Sequence, residues 1–256
     1  DLVREVHLRS STPSRQLKDI EGGAYPIESE TVSNLNLESV RLSCRVRWPL
    51  KLVIDDASIA IYGRCFAFLL KLRGTLFLLD ALHSRLFKRR DAVDPSVMRL
   101  SFEMRHFAVN LHRYVMESVI QREGEVLMRD VEFAASAEDL INRHARFVRR
   151  ISRYCLVSSE HLWTLLREKI TSILDLVPIL VRLAREYEDE GWSLSGAKVT
   201  LLQRLCADFE KRMHSLMRLL RRQSQVATTS SLSLSLFLVL DFNGYYSRAG
   251  GAGAAK

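Results

Sequence analysis

Five arginines are the clearest candidates for a binding function in this sequence. Arg143, Arg146, Arg149, Arg150 and Arg153 follow one another at intervals of three, three, one and three residues. In an α-helix these intervals place the guanidinium groups along one stripe. Such a stripe can attract an acidic partner. It can also be a solvated face, or its arginines can pair with neighbouring helices, and the sequence leaves these alternatives open.

Residue patterns typical of catalysis are missing from the sequence. There is no GxxxxGK[ST] phosphate loop, and the segment 191–196 misses the GxSxG nucleophile motif by one position. His106 and His112 are six residues apart, which does not place them on one helix face as metal ligands. Acidic residues concentrate in solvated runs such as 186–190. We therefore expect no enzymatic activity, no cofactor and no metal site.

Composition and charge restrict the class of partner. The 256 residues are 47% hydrophobic and 27% charged, as in a globular protein with a buried core. A formal net charge of +8 favours nucleic acid, an anionic membrane or an acidic protein surface. The most apolar stretch, 66–82, holds three charged residues, so no membrane span is expected. The four cysteines are far apart and are expected to be free thiols.

Apolar periodicity predicts an all-α protein of packed long antiparallel helices, with a short extended segment before the first long helix. The extended segment is indicated by the alternation of Val40, Leu42, Cys44 and Val46 with polar residues. Pro49 ends it. The apolar stripe of the first long helix runs through Tyr62 and Phe66 to Leu86 at intervals of three and four residues.

Capping signals mark the beginnings of three of the five predicted helices. They are Asp55 and Asp56, Asp94 before Pro95, and the capping box of Ser136 and Asp139. Phe107 and Tyr114 belong to the buried stripe of the second helix. His144 lies on the inner side of the third helix. The fourth helix is predicted to begin near Ser159 and the fifth near Gly196.

Three places along the chain are expected to depart from regular helices. Gly124 interrupts the pattern of the second helix, and Pro178 should kink the fourth. From 232 to 240 leucines alternate with other residues as in a strand, although a helical stripe also fits. Residues 1–37 are expected to be a mostly polar loop or linker from a missing upstream region, 38–247 a helical domain, and 248–256 a disordered Gly/Ala tail.

Four motifs in the correct order resemble the C-terminal half of gamma-tubulin complex proteins. They are LSCRVRWPLKLVI at 42–54 followed by Tyr62 and Phe66, MRHFAVNLHRY at 104–114, HARFV at 144–148 with CL at 155–156, and LDFNGYY at 240–246. Each motif is weak alone, but together they cover residues 38–247. In that family the closing segment is helical, which favours a helix at 232–240.

The resemblance implies a helical domain that binds gamma-tubulin and other subunits of the complex, as a scaffold for microtubule nucleation. It also implies a place in the cytoplasm and cytoskeleton, at a microtubule-organising centre such as the centrosome or spindle pole. The basic surface suits an acidic tubulin. The alternative is a basic helical nucleic-acid-binding module, which only the charge supports because aromatic and basic residues are not interleaved. Neither membrane nor nucleic acid is the expected partner.

Two sets of residues follow from this interpretation. The expected partner-binding residues are Arg146, Arg149, Arg150, Arg153, Asp241, Asn243 and Tyr245. The expected structural anchors are Trp48, Pro49, Tyr62, Phe66, Phe107, Tyr114 and His144. We expect Trp48 and Pro49 to fix the extended segment against the first long helix instead of contacting tubulin.

Overall fold

The computed structural model describes residues 3–10, 40–191, 196–225, 230–241, 244 and 246. Its elements in chain order are β1 (Val3–Ser10), β2 (Val40–Val46), a 3₁₀ turn (Leu50–Leu52), α1 (Asp56–Lys88), α2 (Pro95–Arg113), a π-helical segment (Tyr114–Gln121), α3 (Arg122–Glu132), α4 (Ala137–Tyr154), α5 (His161–Leu174), α6 (Leu176–Asp189), α7 (Gly196–Ser224) and α8 (Ser230–Leu240). The prediction of a mostly helical chain with a short extended segment before the first long helix is confirmed.

The chain divides into two compact units. The first consists of residues 1–74 and 115–163, and the second of residues 75–114 and 164–256. Helix α1 contributes its first part to one unit and its second part to the other.

The first unit contains a two-stranded β-sheet. Strands β1 and β2 are antiparallel, with Val6 opposite Cys44 and Leu8 opposite Leu42. The prediction of an extended segment at 40–46 is confirmed. Strand β1 lies within the range predicted as a mostly polar loop, so that prediction is wrong for residues 3–10. The pairing explains the error, because an eight-residue strand is stabilised by its distant partner β2 and not by local signals.

The capping signals give the correct helix starts. Asp55 Oδ1 accepts a hydrogen bond from the backbone N–H of Ser58 at 2.8 Å. Asp94 Oδ1 accepts one from the backbone N–H of Ser96 at 2.7 Å, with Pro95 at the first helical position. Ser136 Oγ accepts one from Asp139 N–H at 3.1 Å. Each side chain satisfies a donor that the first helical turn leaves unpaired.

Gly124 does not interrupt the helix that it was expected to break. Helix α2 continues through the π-helical segment directly into α3, and Gly124 lies inside α3. A Cβ atom at Gly124 would meet no heavy atom within 4 Å. The irregularity falls instead at Tyr114–Gln121, where the extra residue per turn of a π-helix shifts the buried face.

The second unit is a set of packed helices formed by the later part of α1 with α2 and α5–α8. Its core is built from apolar side chains with exposures of 4% or less, including Leu76, Leu79, Leu82, Leu86, Leu100, Met104, Phe107, Leu111, Tyr114, Leu166, Ile170, Leu180, Phe209, Met213 and Leu216. The ring hydroxyl of Tyr187 donates to Ala92 O at 3.3 Å and accepts from Asp94 N–H at 3.1 Å. Tyr187 thus fixes the start of α2 against α6.

The helix break expected from Pro178 lies three residues earlier than predicted. Helix α5 ends at Leu174 and α6 begins at Leu176, with Asp175 between them. Pro178 occupies the first turn of α6, where its missing N–H costs no intrahelical hydrogen bond. The kink is therefore a break between two helices instead of a bend within one.

The ambiguous leucine-rich segment is helical. Helix α8 covers Ser230–Leu240, with Leu236 and Leu240 each 2% exposed. These residues are four apart on one helix face, which is the spacing that the helical alternative required. Residues 248–256, where the disordered tail was predicted, lie outside the described residues.

Candidate partner-binding surface

Helix α4 carries the arginine stripe and is fixed from its inner side. His144, Val148 and Ile151 are 5% or less exposed and form its buried face. Asp139 holds the amino-terminal end, because its carboxylate accepts hydrogen bonds from Ala135 N–H at 3.2 Å and from Arg143 Nε at 2.9 Å. These two contacts hold the pKa of Asp139 below its usual value.

Two of the arginines face helix α3 and are paired with its carboxylates. Arg143 Nη1 lies 3.3 Å from Asp130 Oδ1, and Arg150 Nη1 lies 3.3 Å from Glu123 Oε2. The two arginines are seven residues apart on α4, and their two carboxylates are seven residues apart in the opposite direction on α3, as expected for antiparallel helices. The residue Glu123 is only 8% exposed, which makes Arg150 the compensating charge for a buried carboxylate. Arg150 is thus part of the packing between these helices.

A third arginine is paired at the other end of the helix. Arg153 Nη2 lies 2.7 Å from Glu160 Oε1, and about half of each side chain is exposed. An exposed pair of this kind contributes little to stability, at most about 1 kcal/mol. It nevertheless neutralises part of the charge at this end of the stripe.

Arg146 and Arg149 are the members of the stripe that face solvent. Both residues are exposed. Neither forms an ion pair with any residue in the described ranges; Arg149 Nε donates weakly to Ala145 O at 3.4 Å within its own helix. The sequence left open whether these arginines are paired with neighbouring helices or face solvent, and the answer differs from one arginine to the next. Arg143, Arg150 and Arg153 pair within the unit, whereas Arg146 and Arg149 present unneutralised charge.

The closing segment places its acidic residue in the interior. Asp241 is 7% exposed, and its Oδ1 accepts a hydrogen bond from Tyr246 N–H at 2.9 Å. This burial disfavours the predicted role of Asp241 as a partner contact and favours a structural role beside Tyr246. Asn243 and Tyr245, which were predicted to bind the partner, lie outside the described residues.

The expected anchors have two different environments. Phe107 and Tyr114 are 2% exposed, and Phe66 is half-buried. Trp48 is 77% exposed and Pro49 is also exposed, so the prediction that they are buried against α1 is wrong. A 3₁₀ turn at Leu50–Leu52 follows them, and the apolar residues after it, Val53 and Ile54, are half-buried where Trp48 is not.

Tyr62 and His144 form the polar contact between α1 and α4. Their Oη and Nε2 atoms are 2.7 Å apart, and the imidazole of His144 also interacts with the backbone of Val53. Burial holds the pKa of His144 below its usual value, although Asp55 and the Val53 carbonyl oppose this shift. Burial also raises the pKa of Tyr62 to about 12, with smaller contributions from Cys65 and Asp55.

A thiol pair lies in the same unit. Cys65 and Cys155 are 7% and 0% exposed and hydrogen bond to each other. This bond holds the pKa of Cys65 below its usual value and raises that of Cys155. All four cysteines are free thiols, as predicted.

The second unit contains a surface groove that the sequence analysis missed. It has a volume of about 580 Å³ and lies between α2 and α8, where Phe102 and Leu238 are 58% and 55% exposed. His106 Nε2 and Asn110 Nδ2 lie 2.9 Å apart at this groove. Phe102, His106 and Val109 recur at helical spacing, but they fall within a predicted amphipathic helix and gave no separate signal.

Within the described ranges, no group of three or more His, Cys, Asp or Glu side chains is arranged to hold a metal ion. The described helices also include none with the length and apolarity needed to span a bilayer. The described residues do provide surfaces suited to binding, namely the exposed arginines of α4 and the groove between α2 and α8.

The fold and these surfaces define a predominantly helical domain with solvent-facing basic residues. Residues 6–246 match the family described as the C-terminal domain of gamma tubulin complex components. The chain belongs to this family, whose members are structural subunits and not enzymes. The family resemblance inferred from the four motifs is thereby confirmed.

Individual relatives are distant. The chain is 24% identical to gamma-tubulin complex component 5 of Macaca fascicularis, over 86% of this chain and 35% of that protein. It is 24% identical to component 5 of Mus musculus, over 86% of this chain and 25% of that protein, and 23% identical to component 4 of Homo sapiens, over 82% and 31%. The chain therefore spans about a third or less of the length of these relatives.

Proposed function

We propose that this chain is a gamma-tubulin-binding scaffold subunit of a gamma-tubulin complex. Together with other subunits it positions gamma-tubulin to template microtubule nucleation at a microtubule-organising centre, the centrosome or spindle pole. The observation that carries this proposal is the family match over residues 6–246. The net charge of +8 supports it, because an acidic partner is attracted over distances of about 10 Å at moderate salt.

Within this proposal the contact involves the exposed part of the arginine stripe. Arg146 and Arg149 lie on the outward face of α4 and are exposed. Arg150 and Arg153 add charge beside them but are engaged with Glu123 and Glu160. Charges of this kind affect the association rate and the salt dependence more than the final affinity.

Binding of purified gamma-tubulin to the chain tests the function and the surface together. The variant Arg146→Glu with Arg149→Glu should slow association by about tenfold at low salt and should weaken its salt dependence. A matched control is Arg182→Glu with Arg204→Glu, which makes the same change in net charge at two exposed arginines of the second unit. The control should bind within about twofold of the wild type.

The results separate the possible errors. If the wild-type chain does not bind gamma-tubulin, the proposed function is wrong. If both double variants slow association equally, only net charge matters and the surface on α4 is wrong. Tight binding to generic duplex DNA with a steep salt dependence would favour the nucleic-acid alternative instead.

A further inference from the structure

The most exposed large apolar side chain among those described belongs to Trp48. It is 77% exposed, and Leu52, four residues later, is 58% exposed. Isolated apolar residues on a surface are normal, but a tryptophan left in water forgoes the burial of about 150–250 Å². Two such side chains in one short segment indicate a surface that another molecule covers.

The segment is ordered by its own backbone. Hydrogen bonds run from Lys51 N–H to Arg47 O and from Leu52 N–H to Pro49 O, each at 3.0 Å. The carbonyl oxygen of Leu50 accepts hydrogen bonds from the backbone N–H groups of Val53 and Ile54, at 3.0 and 2.9 Å. A side chain displayed on such a turn is already positioned, so binding costs little backbone entropy.

The charge around the turn is positive. Arg45 and Arg47 are exposed, and neither is paired with a carboxylate in the part of the chain that the structure describes. Lys51 Nζ lies 3.5 Å from Asp56 Oδ2, and both side chains are largely exposed. Tryptophan and arginine are the residue types most enriched at the energetic centres of protein interfaces.

We propose that the Trp48 turn, defined as residues 45–52, is a docking surface for an acidic region of gamma-tubulin. The Trp48 ring inserts into an apolar pocket of the partner, with Leu52 beside it. Arg45 and Arg47, which are both exposed, bind carboxylates at the rim of that pocket. This inference rests on the proposed function and adds a contact distinct from Arg146 and Arg149.

Equilibrium binding of purified gamma-tubulin to variants of the chain tests the inference. Trp48→Ala should raise the Kd by at least about tenfold, as expected for a central aromatic residue. The matched control is Phe133→Ala, which removes another aromatic side chain that is 75% exposed in the same unit. The control should bind within about twofold of the wild type. Arg45→Glu with Arg47→Glu should also weaken binding and make it less sensitive to salt.

Each result has a definite meaning. If the wild type binds and Trp48→Ala binds equally well, this inference is wrong while the proposed function stands. If the wild type itself does not bind, the proposed function fails and the inference fails with it. Light scattering of the chain alone provides the other outcome. A concentration-dependent dimer that Trp48→Ala abolishes would assign the turn to a second copy and overturn the gamma-tubulin assignment.

Discussion

Tyr62 Oη and Nε2 of His144 lie 2.7 Å apart, at hydrogen-bond distance, across 82 residues of sequence. Burial lowers the pKa of His144 and so favours its neutral imidazole, in which one ring nitrogen donates and the other accepts. His144 is 5% exposed and Tyr62 is half-buried. One buried hydrogen bond therefore joins α1 and α4 behind the arginine stripe.

Removing the Tyr62 hydroxyl should destabilise the fold. Tyr62→Phe leaves Nε2 of the buried His144 without its hydrogen-bond partner, which should lower the free energy of unfolding by about 1–2 kcal/mol. Urea denaturation measures this change. Tyr154→Phe is the control, because Tyr154 is also half-buried and its hydroxyl bonds to no other described residue. The control should stay within about 0.5 kcal/mol, and equal losses in both variants would contradict the role of the bond.

Stability should decrease as the pH falls below about 6.5, the ordinary pKa of histidine. Burial lowers the pKa of His144 and His106 in the folded state, so the unfolded chain binds protons more readily. Their contribution is therefore complete above the unfolded pKa and is lost as the pH falls towards the folded pKa. Unfolding free energies measured from about pH 8 to pH 5 should be less pH-dependent in His144→Gln. An unchanged slope would show that His144 is not responsible.

Local signals in the sequence were sufficient for the helices and their starts. Asp94 with Pro95 and Ser136 with Asp139 act within one turn of chain, so their capping contacts follow from sequence spacing alone. The end of α4 shows the limit of such signals. Leu156 has a φ of 60°, a conformation that usually selects glycine or asparagine, and it is fully buried. Tertiary packing holds a leucine there, and no local pattern reports it.

The candidate surface was predictable only in part. The helical periodicity placed five arginines on one stripe, but the carboxylates that pair with Arg143 and Arg150 come from a different helix. Trp48 is 77% exposed, although a tryptophan beside a proline suggested burial, because residue type alone does not determine exposure. Pairings and exposures are properties of the folded unit, so the sequence left them open or gave the wrong answer.

The pairing of Arg150 with Glu123 predicts unequal effects of two neighbouring arginines. Arg150→Ala leaves the nearly buried Glu123 carboxylate without its cation, which should lower the free energy of unfolding by about 1–2 kcal/mol. Arg149→Ala removes an exposed side chain and should change it by less than about 0.5 kcal/mol. A double-mutant cycle with Glu123→Gln isolates the pair, and a coupling energy of zero would contradict it.

Truncation of Trp48 and of Trp163 should change the free energy of unfolding by very different amounts. Trp48→Ala should change the free energy of unfolding by less than about 1 kcal/mol, because the side chain is 77% exposed and buries little apolar surface. Trp163 is 5% exposed, so Trp163→Ala creates a cavity and should cost about 3–5 kcal/mol. Thermal and urea unfolding of both variants provide the comparison. A loss of about 3 kcal/mol in Trp48→Ala would mean that this side chain is packed in solution. Its effect on gamma-tubulin binding would then report unfolding and not a lost contact, so this measurement must precede the binding assay.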